Sequence, residues 1–159
     1  MSGSRRQPSI QAAFFDVDGT LVDTTILHYY FWYIGDCLPL VGRGLRRAKI
    51  LLAAPYYWIL DKRSRTAFTY AFYRNYAGLV AADFEAWCRE RLGTYLRPRI
   101  YPGAKRELAA LRSRQVPVVL VTGSLAVLVR PFEELVNLSG VLATTLEVSD
   151  GAYTGSIAG

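Results

Sequence analysis

Two aspartates separated by one apolar residue, Asp16 and Asp18, follow a short apolar stretch and precede Gly19. Residues two apart on a strand share a face, and two such carboxylates at the end of a strand can converge on one point in a loop. Paired carboxylates can hold Mg²⁺, and one can act as a nucleophile while the other moves protons. Gly19 allows the backbone to turn away and leaves amides facing an anion. The segment therefore predicts a loop that binds a metal and an anion.

A second polar cluster, Thr122, Gly123 and Ser124, follows the apolar run 119–121. A strand that leads into a helix N-terminus favours phosphate binding, because free amides and the helix dipole both attract an anion. These residues alone equally allow a simpler interpretation, in which Thr122 or Ser124 only caps the following helix.

The elements that would position these clusters follow from hydrophobic periodicity. An apolar run predicts a strand over Ala12–Val17, and the segment Thr24–Pro98, which holds 16 of the 21 aromatic residues, has a helical pattern. Beyond it, the pattern predicts a helix, a strand, a helix interrupted at a proline, and a hairpin, over Ala104–Arg114, Val116–Val121, Leu125–Leu138 and Val141–Ile157. Strands separated by helices imply an α/β fold with a parallel sheet.

The run FFDVDGTLVD, residues 14–23, resembles the first motif of the haloacid dehalogenase (HAD) superfamily, DxDGT, in its phosphoserine-phosphatase-like branch, subfamily IB. The run VLVTGS, residues 119–124, is similar to the second motif of that superfamily, apolar residues followed by Ser or Thr. The resemblance implies a HAD-type Rossmann-like parallel sheet with an α-helical cap inserted after the first strand. The implied parts are a disordered leader (1–11), a core (12–23 and 99–159) and a helical cap (24–98).

The resemblance also implies a mechanism, Mg²⁺-dependent hydrolysis of a phosphomonoester through an aspartyl-phosphate intermediate. Asp16 would be the nucleophile, and Asp18 the acid and base that serves the leaving oxygen and the attacking water. The Asp16 carboxylate and the Asp18 backbone carbonyl would bind Mg²⁺, while the Thr122 hydroxyl and the Gly123 amide would bind phosphoryl oxygens. In phosphoserine phosphatases an acidic residue about nine positions after the nucleophile binds the substrate amine; Thr25 occupies that position here, which argues against phosphoserine as the substrate.

Two parts of the family pattern are not found after the second motif: a lysine, and a strand that ends in acidic residues. Lysine is absent after Lys105. The acids beyond the second motif are Glu133, Glu134, Glu147 and Asp150. We therefore expect the C-terminal part of the core to be missing from this chain, which would leave the fragment incomplete as an enzyme. The first strand would then be an exposed apolar edge, which favours aggregation.

The formal net charge is +6, and seven basic residues from Arg43 to Arg65 stand against one acid, Asp61. A basic surface favours anionic partners, either a phosphorylated small-molecule substrate or acidic lipid head groups. No nucleic-acid-binding motif accompanies the charge, so nucleic acid is not expected as a partner. Cys37 and Cys88 fit no metal or redox spacing, and without an apolar signal segment they favour reduced thiols in the cytoplasm.

The helical segment also carries two apolar, aromatic-rich runs, 29–33 and 50–60, with basic residues beside the second. The second run has 11 uncharged residues, which is too short to span a bilayer. Tyr and Trp beside Arg and Lys suit a membrane surface, although packing of the aromatics within the cap is the favoured interpretation. Two alternatives to the enzyme stay open: a non-catalytic HAD-like module that binds phosphate or a membrane, and the phosphatase-like part of a lipid acyltransferase.

Overall fold

The computed structural model describes residues 12–132 and 138–158. Its central feature is a three-stranded parallel sheet with the strand order β1-β2-β3. The strands are β1 (Ala13–Phe15), β2 (Val118–Leu125) and β3 (Leu138–Thr144). The middle strand, β2, buries Val118 and Leu120 completely. The sheet is therefore parallel, as the alternation of strands and helices in the sequence predicts.

Strand β1 lies at one edge of the described sheet. Among residues 12–132 and 138–158 it pairs only with β2, in a register that places Phe14 opposite Val119. Phe14 is 66% exposed, although it sits within an apolar run. An edge strand of this kind presents unpaired backbone groups that can bind another strand.

The chain reverses direction immediately after β1. The Val17 carbonyl oxygen accepts the amides of Leu21 at 2.9 Å and Val22 at 3.1 Å, and the Gly19 amide donates to the Val22 carbonyl at 2.8 Å. Gly19 has a φ of 76°, a left-handed conformation that glycine adopts without steric cost. Because Val17 lies between the two aspartates, this turn fixes both of them at the end of β1.

Six α-helices separate β1 from β2, and the first five form the helical segment. These five are α1 (Ile26–Cys37), α2 (Leu40–Arg63), α3 (Arg65–Tyr73), α4 (Ala81–Trp87) and α5 (Gly93–Leu96). Aromatic rings pack between them: Tyr33 meets Phe84 with ring centres 4.9 Å apart, and Tyr30 meets Tyr76 at 5.1 Å. Such contacts add to the free energy gained from burying apolar area. Helices thus occupy this segment, as its pattern predicts, and much of its aromatic content is internal.

Helix α6 (Pro102–Ser113) connects the helical segment to β2. Its Leu108 and Leu111, which share one face, are both buried. Beyond the helix, Gln115 has a φ of 55°, and its amide donates to the Arg112 carbonyl at 3.0 Å. The amphipathic helix and its end at Gln115 agree with the sequence pattern.

The last described elements form an antiparallel hairpin of β4 (Leu146–Ser149) and β5 (Ala152–Ile157). Its turn residues, Asp150 with φ 51° and Gly151 with φ 78°, are both left-handed. Two left-handed residues are the geometry of a type I′ turn, which matches the right-handed twist of the two strands. The predicted hairpin turn is confirmed.

The hairpin is bound to the helical segment through backbone hydrogen bonds. The Gly78 amide donates to the Tyr153 carbonyl, the Tyr153 amide to the Leu79 carbonyl, and the Ala81 amide to the Gly151 carbonyl, each at 2.9 Å. The connection between α3 and α4 therefore forms part of the surface against which the hairpin packs.

The chain after β2 differs from the prediction. The sequence pattern favours a helix over Leu125–Leu138, but β2 continues to Leu125 and a 3₁₀ segment, Ala126–Phe132, follows it. Pro131 lacks an amide hydrogen, and the two valines of the segment have a low helix propensity. Both features make an α-helix less stable here. Residues 133–137, like the predicted leader 1–11, lie outside the described residues.

The predicted hairpin is also shorter than expected. The pattern places its start at Val141, but Val141 belongs to β3 and pairs in parallel with Leu120 of β2. The antiparallel hairpin begins at Leu146. An apolar, alternating run has the same appearance in a parallel strand and in a hairpin strand, so the pattern alone does not separate the two.

Candidate active site

The turn after β1 and the end of β2 meet at one cavity of about 750 Å³. Asp16, Asp18, Thr122 and Gly123 all line it. The carboxyl ends of parallel strands meet at the same edge of a sheet, which is where ligands bind in open α/β folds. The sequence analysis singled out two pairs of residues, and the two pairs are more than a hundred positions apart in the chain. In the structure all four residues line the same cavity.

Asp16 is exposed, and its side chain has few hydrogen bonds. The Thr20 hydroxyl donates to its Oδ2 at 3.2 Å. Within the described residues no donor contacts Asp16 Oδ1. Asp16 lines the cavity, and one of its carboxylate oxygens has no hydrogen-bond partner from this part of the chain, as a nucleophile requires.

Asp18 is held far more firmly, by three hydroxyl groups. Thr24 and Tyr29 donate to Asp18 Oδ1 at 2.6 and 2.7 Å, and Ser124 donates to Oδ2. Thr24, Tyr29 and Ser124 are all buried. Hydrogen bonds to a charged group are stronger than those between neutral groups, so these donors fix the orientation of the carboxylate.

Three of these oxygens form a closed triangle that can hold one additional proton. Thr24 Oγ1 and Tyr29 Oη lie 2.8 Å apart, so each is within hydrogen-bond distance of the other and of Asp18 Oδ1. When both hydroxyls donate to an ionised Asp18, no hydrogen lies between them. A proton on Asp18 lets each of the three oxygens donate once around the ring, because a hydroxyl can donate and accept. The cluster can therefore gain or lose a proton without an unpaired donor.

Tyr29 stays protonated within this cluster. Burial, and next the charge of Asp18, raise the pKa of Tyr29 far above its ordinary value. Burial likewise raises the pKa of Tyr73, whose hydroxyl donates to the Gly123 carbonyl at 2.8 Å. Both phenols thus act as neutral hydrogen-bond donors beside the aspartate.

The Thr122–Ser124 cluster lies within a strand, not at a helix N-terminus. β2 runs through these residues, and the Ser124 amide donates to Thr122 Oγ1 at 3.0 Å. The expected contribution of a helix dipole to phosphate binding is therefore wrong. The Gly123 carbonyl accepts both the Tyr73 hydroxyl and, at 2.9 Å, the Thr144 hydroxyl, which fixes the strand end from two sides.

The helical segment supplies the opposite wall of the cavity. Its apolar lining residues are Ile26, Leu27, Ile50, Ala54, Tyr57, Trp58 and Phe68. Arg65 and Asp61 add one charge of each sign. Thr25 also lines the cavity. His28 is engaged at the start of α1, where its Nδ1 accepts a hydrogen bond from the Thr25 amide at 3.0 Å. A ligand bound here would contact polar residues at the ends of β1 and β2 and mostly apolar residues of the helical segment.

The oxygen atoms of Asp16 and Asp18 fit an Mg²⁺ ion that also binds water and phosphate oxygens. In the described part of the chain, no group of three or more His, Cys, Asp or Glu side chains comes together. Mg²⁺ commonly binds through one or two carboxylates and keeps several waters and phosphate oxygens. The exposed Asp16 carboxylate meets that need, and because the Asp18 carboxylate is taken by hydroxyls, its backbone carbonyl is the oxygen left for a metal.

The hydroxyl partners of Asp18 were not evident from the sequence. Ser124 was singled out only as part of a phosphate site or a helix cap, and Thr24 and Tyr29 only as residues of the helical segment. Two features of the sequence could have indicated these partners: the polar Thr24 directly after the motif, and Tyr29 in the first turn of α1.

Residues 13–159 match the family of haloacid dehalogenase-like hydrolases. No curated protein matches the chain significantly. Among the described residues, no helix is long and apolar enough to cross a membrane.

Three solved structures show the same fold. A protein of unknown function from Bordetella pertussis Tohama I superposes with a TM-score of 0.61 at 18% identity, covering 93% of this chain and 66% of that one. A phosphoserine phosphatase in a phospho-aspartyl intermediate analogue form gives 0.59 at 20% identity, with 94% and 63% covered. The phosphoserine phosphatase from T. onnurineus gives 0.55 at 18% identity, with 97% and 67% covered. This chain thus spans about two thirds of the length of these proteins.

Proposed function

The chain belongs to the haloacid dehalogenase-like hydrolase family, and we propose that it carries the nucleophile and the proton-transfer residue of an Mg²⁺-dependent phosphomonoesterase. The observation that supports this most is the convergence of Asp16, Asp18, Thr122 and Gly123 on one cavity. The similarity in fold to phosphoserine phosphatases, one of them in a phospho-aspartyl intermediate analogue form, is consistent with the same class of chemistry.

In the first step, Asp16 Oδ1 attacks the phosphorus of the ester, and the bond to the ester oxygen breaks. Asp18 gives its proton to that leaving oxygen, and the Thr24–Tyr29 hydroxyls return to donating to the carboxylate. The product alcohol leaves, and the phosphoryl group stays on Asp16. The Thr122 hydroxyl and the Gly123 amide bind its oxygens.

In the second step, Asp18 takes a proton from a water molecule, whose oxygen attacks the phosphorus of the aspartyl-phosphate. The bond to Asp16 breaks, inorganic phosphate leaves, and Asp18 holds a proton again for the next cycle. The Asp16 carboxylate and the Asp18 backbone carbonyl would hold Mg²⁺, which would supply positive charge to offset the charge of the transferring group.

The substrate proposed is a phosphorylated small molecule other than phosphoserine. Thr25 lines the cavity and stands where phosphoserine phosphatases carry an acidic residue for the substrate amine, about nine positions after the nucleophile. Its hydroxyl carries no charge for that purpose. Ile50, Tyr57 and Phe68 on the opposite wall favour a substrate whose carbon skeleton is partly apolar. The free thiols of Cys37 and Cys88 support a cytoplasmic location for this reaction.

Phosphate release from p-nitrophenyl phosphate and from a panel of phosphomonoesters, with Mg²⁺ and with a chelator, tests the proposal. The family's lysine and acidic strand end are not found after the second motif, so we expect Mg²⁺-dependent release when a longer chain supplies them. In that chain Asp16→Asn should lose at least about 10³-fold of the activity, because an amide cannot form the aspartyl-phosphate. Asp23→Asn is the matched control, since Asp23 is exposed and does not line the cavity. Among residues 12–132 and 138–158, its side chain receives one long hydrogen bond, from Tyr101 at 3.4 Å.

Retained release in Asp16→Asn would remove Asp16 as the nucleophile. If neither wild type nor Asp23→Asn releases phosphate even when the lysine and the acidic strand end are supplied, while both bind orthophosphate through Thr122, the result would favour the non-catalytic phosphate-binding module over the enzyme.

A further inference from the structure

Helix α2 exposes a broad apolar face, most of which lies on the side away from the cavity. The residues of this outer face are Leu40, Val41, Leu45, Leu51, Leu52, Tyr56, Trp58 and Ile59, all of them exposed. At about 100° per residue they fall within an arc of roughly 160° on one side of the helix. Leu52 is 85% exposed and Leu40 76%, while Ile50 is the buried residue of this helix.

Exposure on this scale is unusual for a chain that remains alone in water. Single exposed apolar side chains are ordinary, but a continuous apolar surface marks a site that binds another surface. The only acid of α2, Asp61, lies on the other side of the helix and lines the cavity. The outer face is therefore apolar and free of negative charge.

Basic side chains border the outer face. Arg47 and Lys49 lie along its two sides, and Lys62 and Arg63 lie at its C-terminal end, all of them exposed. In the described part of the chain none of these four forms an ion pair. Arg46, on the opposite side, instead donates to the Asn75 carbonyl at 2.8 Å and belongs to the fold.

We propose that the outer face of α2 docks onto an anionic lipid membrane surface, with the helix lying in the plane of the interface. Charge complementarity favours this occupant, because an apolar face bordered by Lys and Arg suits acidic head groups above an acyl layer. Trp58 and Tyr56 are residue types enriched at that depth, and Lys62 Nζ lies 5.6 Å from the Trp58 ring centre. This inference does not depend on the phosphatase activity.

Docking in this orientation would bring the cavity close to the membrane. The same helix lines the cavity with Ile50, Ala54 and Tyr57 on its inner side. Trp58 lines the cavity too, and lies at the border between the inner side and the outer face. One helix would thus separate the phosphate site from the lipid.

Co-sedimentation with vesicles tests the proposal. The full chain is mixed with vesicles of phosphatidylcholine alone or with 30% phosphatidylglycerol, about a third anionic lipid, at low and high salt. We expect binding to the anionic vesicles only, weakened by salt, together with a blue shift of tryptophan fluorescence that Trp58→Phe removes. A double variant, Leu51→Glu with Leu52→Glu, should bind at least tenfold more weakly.

Val148→Glu is the matched control, because Val148 is an exposed apolar residue on β4 and lies outside α2. It should bind vesicles as wild type does. Circular dichroism establishes that the variants are folded, and all four replaced residues are exposed, which favours folding. Absence of binding to anionic vesicles, or equal binding by the double variant, would overturn the proposal. A dimer in light scattering that the double variant dissociates, without vesicle binding, would assign the face to a second copy instead.

Discussion

The phenol oxygen of Tyr29 lies 2.7 Å from Oδ1 of Asp18, eleven residues earlier in the chain. The contact crosses from the first turn of α1 to the turn after β1. It ties the start of the helical segment to the carboxylate that is proposed to move protons. The placement of α1 therefore determines the geometry of the candidate site.

This contact predicts a coupled loss of stability. Tyr29→Phe and Thr24→Val each remove a buried donor to Asp18, and each should lower the free energy of unfolding by about 1–2 kcal/mol. The double variant should lose less than the sum, because the two hydroxyls share one triangle. Urea denaturation measures these values, and the exposed Tyr70→Phe is a control expected to change by less than about 0.5 kcal/mol. Additive losses would show that the hydroxyls act independently.

Tyr76 predicts the opposite effect. Its hydroxyl is buried and, within the described residues, has no hydrogen-bond partner. Its ring packs against Tyr30 and Phe84, contacts that a phenylalanine would keep. Tyr76→Phe should raise the free energy of unfolding by about 1 kcal/mol, because an unpaired polar group no longer has to be desolvated. A lower melting temperature in this variant would indicate that the hydroxyl has a partner.

Alkaline pH should destabilise the fold. Burial raises the pKa of Tyr33 to about 12, from an ordinary value of 10.0. Above about pH 10 the unfolded tyrosine loses its proton while the folded one keeps it, so the unfolded state binds fewer protons and stability falls as pH rises. Below that pH the contribution is constant. Unfolding free energies from pH 8 to 12 check this, and Tyr33→Phe should give a shallower decline with its ring still packed on Phe84.

Alanine substitutions at two glycines of the hairpin distinguish the cost of a left-handed backbone from the cost of a steric clash. Gly151 and Gly155 both have left-handed φ, 78° and 86°. A Cβ on Gly151 would meet no atom within 4 Å, whereas one on Gly155 would lie 3.0 Å from the Arg74 Cα. Gly151→Ala should cost about 1 kcal/mol for the backbone alone, and Gly155→Ala about 2 kcal/mol more. Thermal unfolding of the two variants measures the difference, and equal losses would mean that the hairpin can move away from Arg74.

The sequence was sufficient for features that depend on neighbouring residues. The pair Asp16 and Asp18 sits in a short motif, and the turn at Asp150 and Gly151 has a composition that only a few turn types accept. These features need no knowledge of distant contacts. The strand–helix order that implies a parallel sheet is local in the same sense.

Features that depend on packing could not be predicted in this way. The hydroxyls of Thr24, Tyr29 and Ser124 meet Asp18 only because α1 and β2 come together at the end of β1. The continuation of β2 to Leu125 depends on its pairing with Thr144 of β3, which local propensity does not contain. The division of the chain into core and cap remains a prediction.

The hairpin's three backbone hydrogen bonds to the α3–α4 connection limit how the cavity can open. A helical segment that swung away as one body about its two links to the sheet would have to break all of them together. Access that keeps them intact requires the α2 end to move while the α3–α4 connection stays in place. Slow hydrogen exchange at the amides of Gly78, Ala81 and Tyr153 would then accompany fast ligand entry, since the two motions belong to different parts of the molecule.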